Sequence, residues 1–150
     1  MNRVDVEADS LFTPKVGVVV SEFNAFVTEP LLEGALAALE AEGVTEVVVA
    51  RVPGALELPV VAQKMAETCD AVVAVGAVIE GETDHYVHVS NAASMGVAHV
   101  AVRTGVPVGN AILTVRDAEH ARDRSLPGRS NKGYEAAEAA VRAARVLARL

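Results

Sequence analysis

Residues with chemistry sit close together where an apolar run breaks off. Ala71 to Ile79 is continuous Val, Ala, Gly and Ile, and it ends at Glu80-Gly81-Glu82-Thr83-Asp84-His85. A helical pattern follows almost at once. A buried strand that delivers a Gly, a Thr and a His to the start of a helix suits an anion-binding, proton-transferring site. Backbone amides from Gly81 to Thr83 are the candidate phosphate donors. His85, whose ordinary pKa lies near about 6.5, is the candidate general acid or base. Glu80 and Glu82 would repel a phosphate if they faced it, so their side chains must point away and a cation must come from elsewhere. Arg124 is the candidate. His85 and His88 at i, i+3 share a helix face, but that spacing alone is a weak metal signature and no further ligand set accompanies it; no metal is expected.

Other strand exits add to this set. Phe23-Asn24 follows Val16-Gly17-Val18-Val19-Val20, and an aromatic there can stack on a flat heteroaromatic ligand or simply staple the next helix. Pro53-Gly54-Ala55-Leu56-Glu57 follows a second Val-rich run. Its backbone can read a planar ligand and Glu57 can bind hydroxyls; the plainer reading is a helix start with a carboxylate near the positive dipole end. Asn110 to Thr114 lies on a fourth strand. Arg122, Arg124, Arg129 and Lys132 cluster in and around the loop Ser125 to Ser130, either as a phosphate clamp or as solvated charge. The glycine fingerprint of dinucleotide enzymes, the P-loop and a serine elbow are absent.

The elements that must hold these residues follow from periodicity. Strands are predicted at 15–20, 44–52, 71–79 and 106–113. Helices are predicted from a Thr28 cap to about Glu42, from Ala55 to about Glu67, at 87–104, at 117–124 and at 134–150. Such alternation predicts an α/β fold, a three-layer α/β/α sandwich around a four-stranded parallel sheet of flavodoxin-like type. In these sheets ligands bind outside the C-terminal strand ends, where all four unusual exits fall.

Composition narrows the class. The 150 residues are enough for one domain with a true core, residues 1–14 forming an N-terminal extension. Hydrophobic residues are 51% and aromatics 3%, so the core must be Val, Ala and Leu, as suits strands covered on both faces. Abundant Ala and Val leave apolar surface that favours an oligomer. A net charge of −7, without a basic block, argues against nucleic acid and anionic membranes as partners. Cys69 is the one cysteine and reads as core filler, which fits a reducing cytoplasm. No signal-like segment opens the chain, and the longest apolar run is too short to span a bilayer. A cytoplasmic location is expected.

Taken together, these residues resemble the lumazine synthase family. The matching pieces are Phe23-Asn24, Val52-Pro53-Gly54-Ala55-Leu56-Glu57-Leu58-Pro59, Gly76-x-Val78-Ile79-x-Gly81-x-Thr83-x-His85-Tyr86, Val106-Pro107-Val108 with Leu113-Thr114, Ala121-x-x-Arg124 and Asn131-Lys132-Gly133. They occur in the family's order across nearly all of residues 15 to 145. The resemblance implies a transferase of riboflavin biosynthesis that joins 5-amino-6-ribitylaminouracil to 3,4-dihydroxy-2-butanone 4-phosphate. Lumazine, phosphate and water are the products, and no cofactor is implied.

By position, the resemblance puts Phe23 on the pyrimidine and assigns Asn24, Ala55, Leu56 and Glu57 to pyrimidine and ribityl groups. Val78, Ile79, Asn110 and Lys132 complete the substrate contacts. Gly81, Glu82, Thr83 and Arg124 bind phosphate, and His85 handles protons. It further implies that Arg124 and Lys132 come from an adjacent subunit of a pentamer, in some members built into an icosahedral shell. The chain departs from the family at Glu22 and Glu80, where Arg is frequent, at Asn110, where an aromatic is frequent, and at His120, where Gln is usual. These departures keep two alternatives open: a lumazine- or flavin-binding paralogue without turnover, and a mainly structural shell protein.

Overall fold

The computed structural model describes all 150 residues. Four strands, β1 (Val16–Ser21), β2 (Val47–Val52), β3 (Ala71–Ile79) and β4 (Val108–Val115), form one parallel sheet in the order β2-β1-β3-β4. The helices are α1 (Ala25–Ala41), α2 (Leu58–Met65, entered by a 3-10 turn at Ala55–Glu57), α3 (His85–Thr104), α4 (Ala118–Arg124) and α5 (Lys132–Leu147). The order reverses direction between β1 and β3. That is the switch point at which open α/β sheets leave a crevice beyond their strand ends.

Alternation along the strands sorts the core into two layers. Val16, Val18 and Val20 of β1, with Ala71, Val73, Val75 and Ala77 of β3, pack beneath α1, α4 and α5. Val19, Val72, Ala74 and Val78 face the other way, toward α2 and α3. Buried Cys69 joins this second layer as filler. A three-layer α/β/α sandwich results, as the sequence predicts. Small residues permit close approach: a Cβ on Gly109 of β4 would lie 2.3 Å from the Ala136 carbonyl oxygen of α5.

The boundaries differ from expectation in instructive places. α1 starts at Ala25, not after Thr28, because Asn24 adopts a left-handed conformation (φ 61°) and turns the chain directly from β1 into the helix. Thr28 is therefore fully buried inside α1, its hydroxyl without a partner. Pro30, expected in the first turn, falls a turn later and withdraws one helical hydrogen bond. β2 begins at Val47 rather than Val44, and as an edge strand it leaves Val48 and Val49 more than 40% exposed. β4 spans Val108–Val115, two residues beyond the predicted frame, because it pairs in register with Val72 to Ile79. α3 begins at His85 and α5 at Lys132, each two residues early.

Residues before β1 lack regular structure, and one arginine fastens the stretch from Asp9 to Phe12. Arg145 of α5 donates Nε–H to the Phe12 carbonyl (3.1 Å) and Nη2–H to the Glu42 carbonyl (2.8 Å), and it pairs with the Glu42 carboxylate. The Asp9 amide donates to the Arg145 carbonyl at 3.0 Å. A single arginine thus joins the N-terminal segment, the end of α1 and the end of α5.

Candidate functional site

A cavity of about 310 Å³ opens beyond the C-terminal ends of β1 and β3. Three elements build it for local reasons. Asn24, held left-handed at the end of β1, donates its Nδ2–H to the Ala77 carbonyl at 2.9 Å and so ties the first strand exit to β3. Beyond β2, Glu57 reaches back and accepts the Gly54 N–H at 2.9 Å, the carboxylate half of a capping box, which fixes the 55–57 turn. Beyond β3, Thr83 Oγ1 accepts the His85 N–H at 3.3 Å as α3 begins.

Most of the sequence-predicted residues meet here. Phe23, Asn24, Ala55, Leu56 and Glu57 line one side; Val78, Ile79, Gly81, Thr83 and His85 line the other. Phe23 is 73% exposed at the rim, so it does not act as a staple for α1, and its ring face is open to a ligand. Glu57 serves both readings, since the cap occupies one carboxylate oxygen and leaves the other. Glu82 does not line the cavity, nor does Glu80, so neither carboxylate confronts an anion there.

Gly54, Ala77, Tyr86 and Val89 also line it. Sequence reasoning assigns no substrate contact to Ala77, Tyr86 or Val89, although a signal exists for the last two. Tyr86 and Val89 lie one and four positions after His85, on the turn of α3 that His85 opens. Gly54 is the donor that Glu57 caps.

Besides Glu82, three predicted residues stand outside this cavity. Asn110 and Lys132 line a second depression of about 430 Å³ along β4 and α5, with Pro107 to Gly109 beside them. Asn110 accepts the Ile112 N–H at 2.9 Å, and Lys132 pairs with Glu135 at 2.8 Å. Arg124 is exposed at the end of α4, has no carboxylate partner and donates to the His120 carbonyl at 3.1 Å. Its neighbour Arg122 lies over the Phe26 ring, 5.2 Å from the centroid. Of the departures from the family pattern, Glu22 and Glu80 are exposed, and His120 Nδ1 lies 3.4 Å from Asp117, the cap of α4. His88 and His99 are exposed on α3, and nowhere do three His, Cys, Asp or Glu side chains gather.

The electrostatics of the cavity are therefore one-sided. Its lining includes one carboxylate, Glu57, and one imidazole, His85, with no Lys or Arg. An aromatic rim, backbone at a tight turn and a Gly-x-Thr-x-His strand exit suit a planar polar ligand and a proton transfer. A phosphoryl group bound there would meet no Lys or Arg among the lining residues.

Comparison with known proteins bears on the same residues. A family model described as 6,7-dimethyl-8-ribityllumazine synthase matches residues 13–148. A 6,7-dimethyl-8-ribityllumazine synthase from Thermobifida fusca (strain YX) is 53% identical over 137 residues, 90% of this chain and 81% of that protein. No helix is long and apolar enough to cross a membrane.

Proposed function

The chain belongs to the 6,7-dimethyl-8-ribityllumazine synthase family, and on that footing we propose how its residues divide the work. It is a transferase that condenses 5-amino-6-ribitylaminouracil with 3,4-dihydroxy-2-butanone 4-phosphate in riboflavin biosynthesis, releasing phosphate and water. Phe23 stacks on the pyrimidine, and Asn24 with the 55–57 turn reads its polar edge and the ribityl chain. Val78 and Ile79 form the apolar wall. Gly81 and Thr83 hold the phosphate end, with the Glu82 amide and not its carboxylate on that side. His85 moves protons as the amine adds to the ketone, as water leaves to give the Schiff base, and as phosphate is eliminated.

The remaining contacts come from a second copy of the chain. Arg124 neutralises the phosphate, and Lys132 and Asn110 close the ribityl side. One observation carries this assignment: the cavity brings ten predicted residues together yet contains no cation of its own. A doubly charged phosphate ester would otherwise be desolvated without compensation. Apolar side chains left open on the single chain, among them Phe23, Val48, Val49, Leu56 and Val60, supply surface for such contacts. A homopentamer, free or built into an icosahedral shell, satisfies both requirements in the reducing cytoplasm. No organic cofactor is called for, because the amine and ketone react once held together. Most of the rate then comes from proximity, orientation and charge stabilisation at the leaving phosphate.

Purified protein given both substrates is expected to release the lumazine, followed by its absorbance and fluorescence, together with one phosphate per turnover. Binding of either pyrimidine or lumazine without turnover would overturn the catalytic assignment. Sedimentation at the assay concentration tests the assembly: a monomer that turns over substrate would refute the shared site.

A further inference from the structure

We propose that Asn131 is a positioning residue whose side chain ties the end of α4 to the start of α5, setting Arg124 and Lys132 for the substrates. The inference rests on the reading above that these two cations bind substrate. Asn131 is 1% exposed. Its Nδ2 donates to the Pro30 carbonyl at 3.1 Å and to the Ser125 carbonyl at 2.9 Å. Its Oδ1 accepts the Gly133 N–H at 2.8 Å and the Tyr134 N–H at 3.2 Å. A carboxamide has two donor hydrogens and two acceptor lone pairs, and all four are used. Exchanging its nitrogen and oxygen would set an oxygen against two carbonyls, so the amide has one orientation only.

Capping α5 requires only the acceptor half of this set. The two donors are surplus to a cap, and both reach outside the helix. One holds Asn131 to α1. The other holds it to Ser125, the residue directly after Arg124. Lys132 directly follows Asn131 itself. Between them, Leu126 to Ser130 are exposed, and Ser125 and Asn131 are the only buried residues of the connection. The loop is thus fixed at its two ends, and the same amide fixes both.

The surroundings are shaped for that amide. A Cβ on Gly34 of α1 would lie 2.2 Å from Asn131 Oδ1, and one on Gly133 would lie 1.9 Å from the Leu31 carbonyl oxygen. Helices α1 and α5 approach backbone to backbone here, and the carboxamide fills the space this leaves. Removing the donors cuts the hydrogen-bonded tie from the end of α4 to α1 while leaving α5 capped.

Asn131→Ser makes that separation, because serine retains a capping oxygen and lacks the two carboxamide N–H donors, its one short hydroxyl being unable to replace both. Steady-state kinetics on Asn131→Ser, Arg124→Ala and the double variant form a cycle. Arg124→Ala is expected to raise KM for the phosphate substrate. Asn131→Ser is expected to raise the same KM about tenfold, within what a displacement near 1 Å commonly costs. The double variant is expected to be no worse for that substrate than Arg124→Ala alone.

An Asn131→Ser effect of equal size with and without Arg124, or equal losses in kcat and in both KM values, would mark a merely structural residue and overturn the inference. A wild-type phosphate KM in Arg124→Ala would instead overturn the reading of Arg124, and the inference with it. If Asn131→Ser fails to fold, Gly34→Ala displaces the amide from the α1 side and is expected to give the same KM shift. A folded Gly34→Ala with wild-type KM for the phosphate substrate overturns the proposal.

Discussion

Gly109→Ala tests whether the sheet and α5 are as close as the structure places them. The new methyl would lie 2.3 Å from the Ala136 carbonyl oxygen and 2.9 Å from its carbon, both backbone atoms that no rotamer change can move. Bringing that contact from 2.3 Å to the 3.4 Å of ordinary contact requires β4 and α5 to separate by about 1.1 Å. Overpacking of this kind costs about 1–3 kcal/mol. For a chain of this length each kcal/mol lowers Tm by about 2–4 °C, so the expected fall is about 2–12 °C. Because Lys132 opens α5, the same movement reaches the ribityl side of the site, and activity below Tm is expected to fall as well. The assay is calorimetry at one fixed protomer concentration, with Gly81→Ala as control, since a Cβ there meets nothing within 4 Å. An unchanged Tm for Gly109→Ala would refute the packing described for β4 and α5.

Three further outcomes follow from the geometry. His85→Ala is expected to lower kcat by about 10²-fold or less, the range of one general acid–base group, with KM values little changed; a total loss would assign His85 a larger role than proton handling. Asn24→Ala removes the 2.9 Å bond to the Ala77 carbonyl and puts a Cβ-bearing residue without a polar side chain at φ 61°. It is expected to destabilise by about 1–2 kcal/mol in chemical denaturation, and an unchanged midpoint would refute the tie. The Glu46 carboxylate raises the pKa of Lys15 above 10.5, first by its hydrogen bond and then by its charge. Such a contribution is present below 10.5 and is lost as pH rises through the higher folded value. Glu46→Gln should therefore be slightly less stable than wild type at about pH 9, the gap closing in more alkaline solution; the effect is small because the pair is solvent-screened.

The parts of the fold that were legible share a physical reason. β3 reads directly because nine apolar residues bounded by polar ones have only one comfortable place, the middle of a doubly covered sheet. The cavity half contributed by Phe23, the 55–57 turn and Gly81 to His85 was legible because strand ends at a switch point gather whatever they carry. The place of β2 in the sheet was not legible, because Val47-Val48-Val49-Ala50 looks the same at the edge of a sheet as at its centre. Its exposed valines follow from sheet order, a property of the whole chain. The start of α1 was misread because Thr28 is a good capping type, whereas Asn24 begins the helix by backbone conformation with no side-chain cap bond. Asn131 carried no visible signal beyond its motif, since its four partners lie on three different elements. Arg124, Asn110 and Lys132 were legible as residue types. Arg124 and Lys132 stand away from the cavity because α4 and α5 pack elsewhere in the same chain, and Asn110 because it lies near the start of β4, opposite Ala74, and not at its C-terminal end.

The most direct measurement of the shared site is complementation. One chain carries Phe23→Ser and His85→Ala, which disable its cavity, and the other carries Arg124→Ala. The two are unfolded together, reassembled at equal amounts and assayed against each alone. If Arg124 completes the neighbouring subunit's cavity, random mixing leaves about a quarter of the sites with both halves intact, and about that fraction of wild-type activity returns. Activity no greater than the mean of the separate variants would contradict the account, because every site would then carry its own chain's defect.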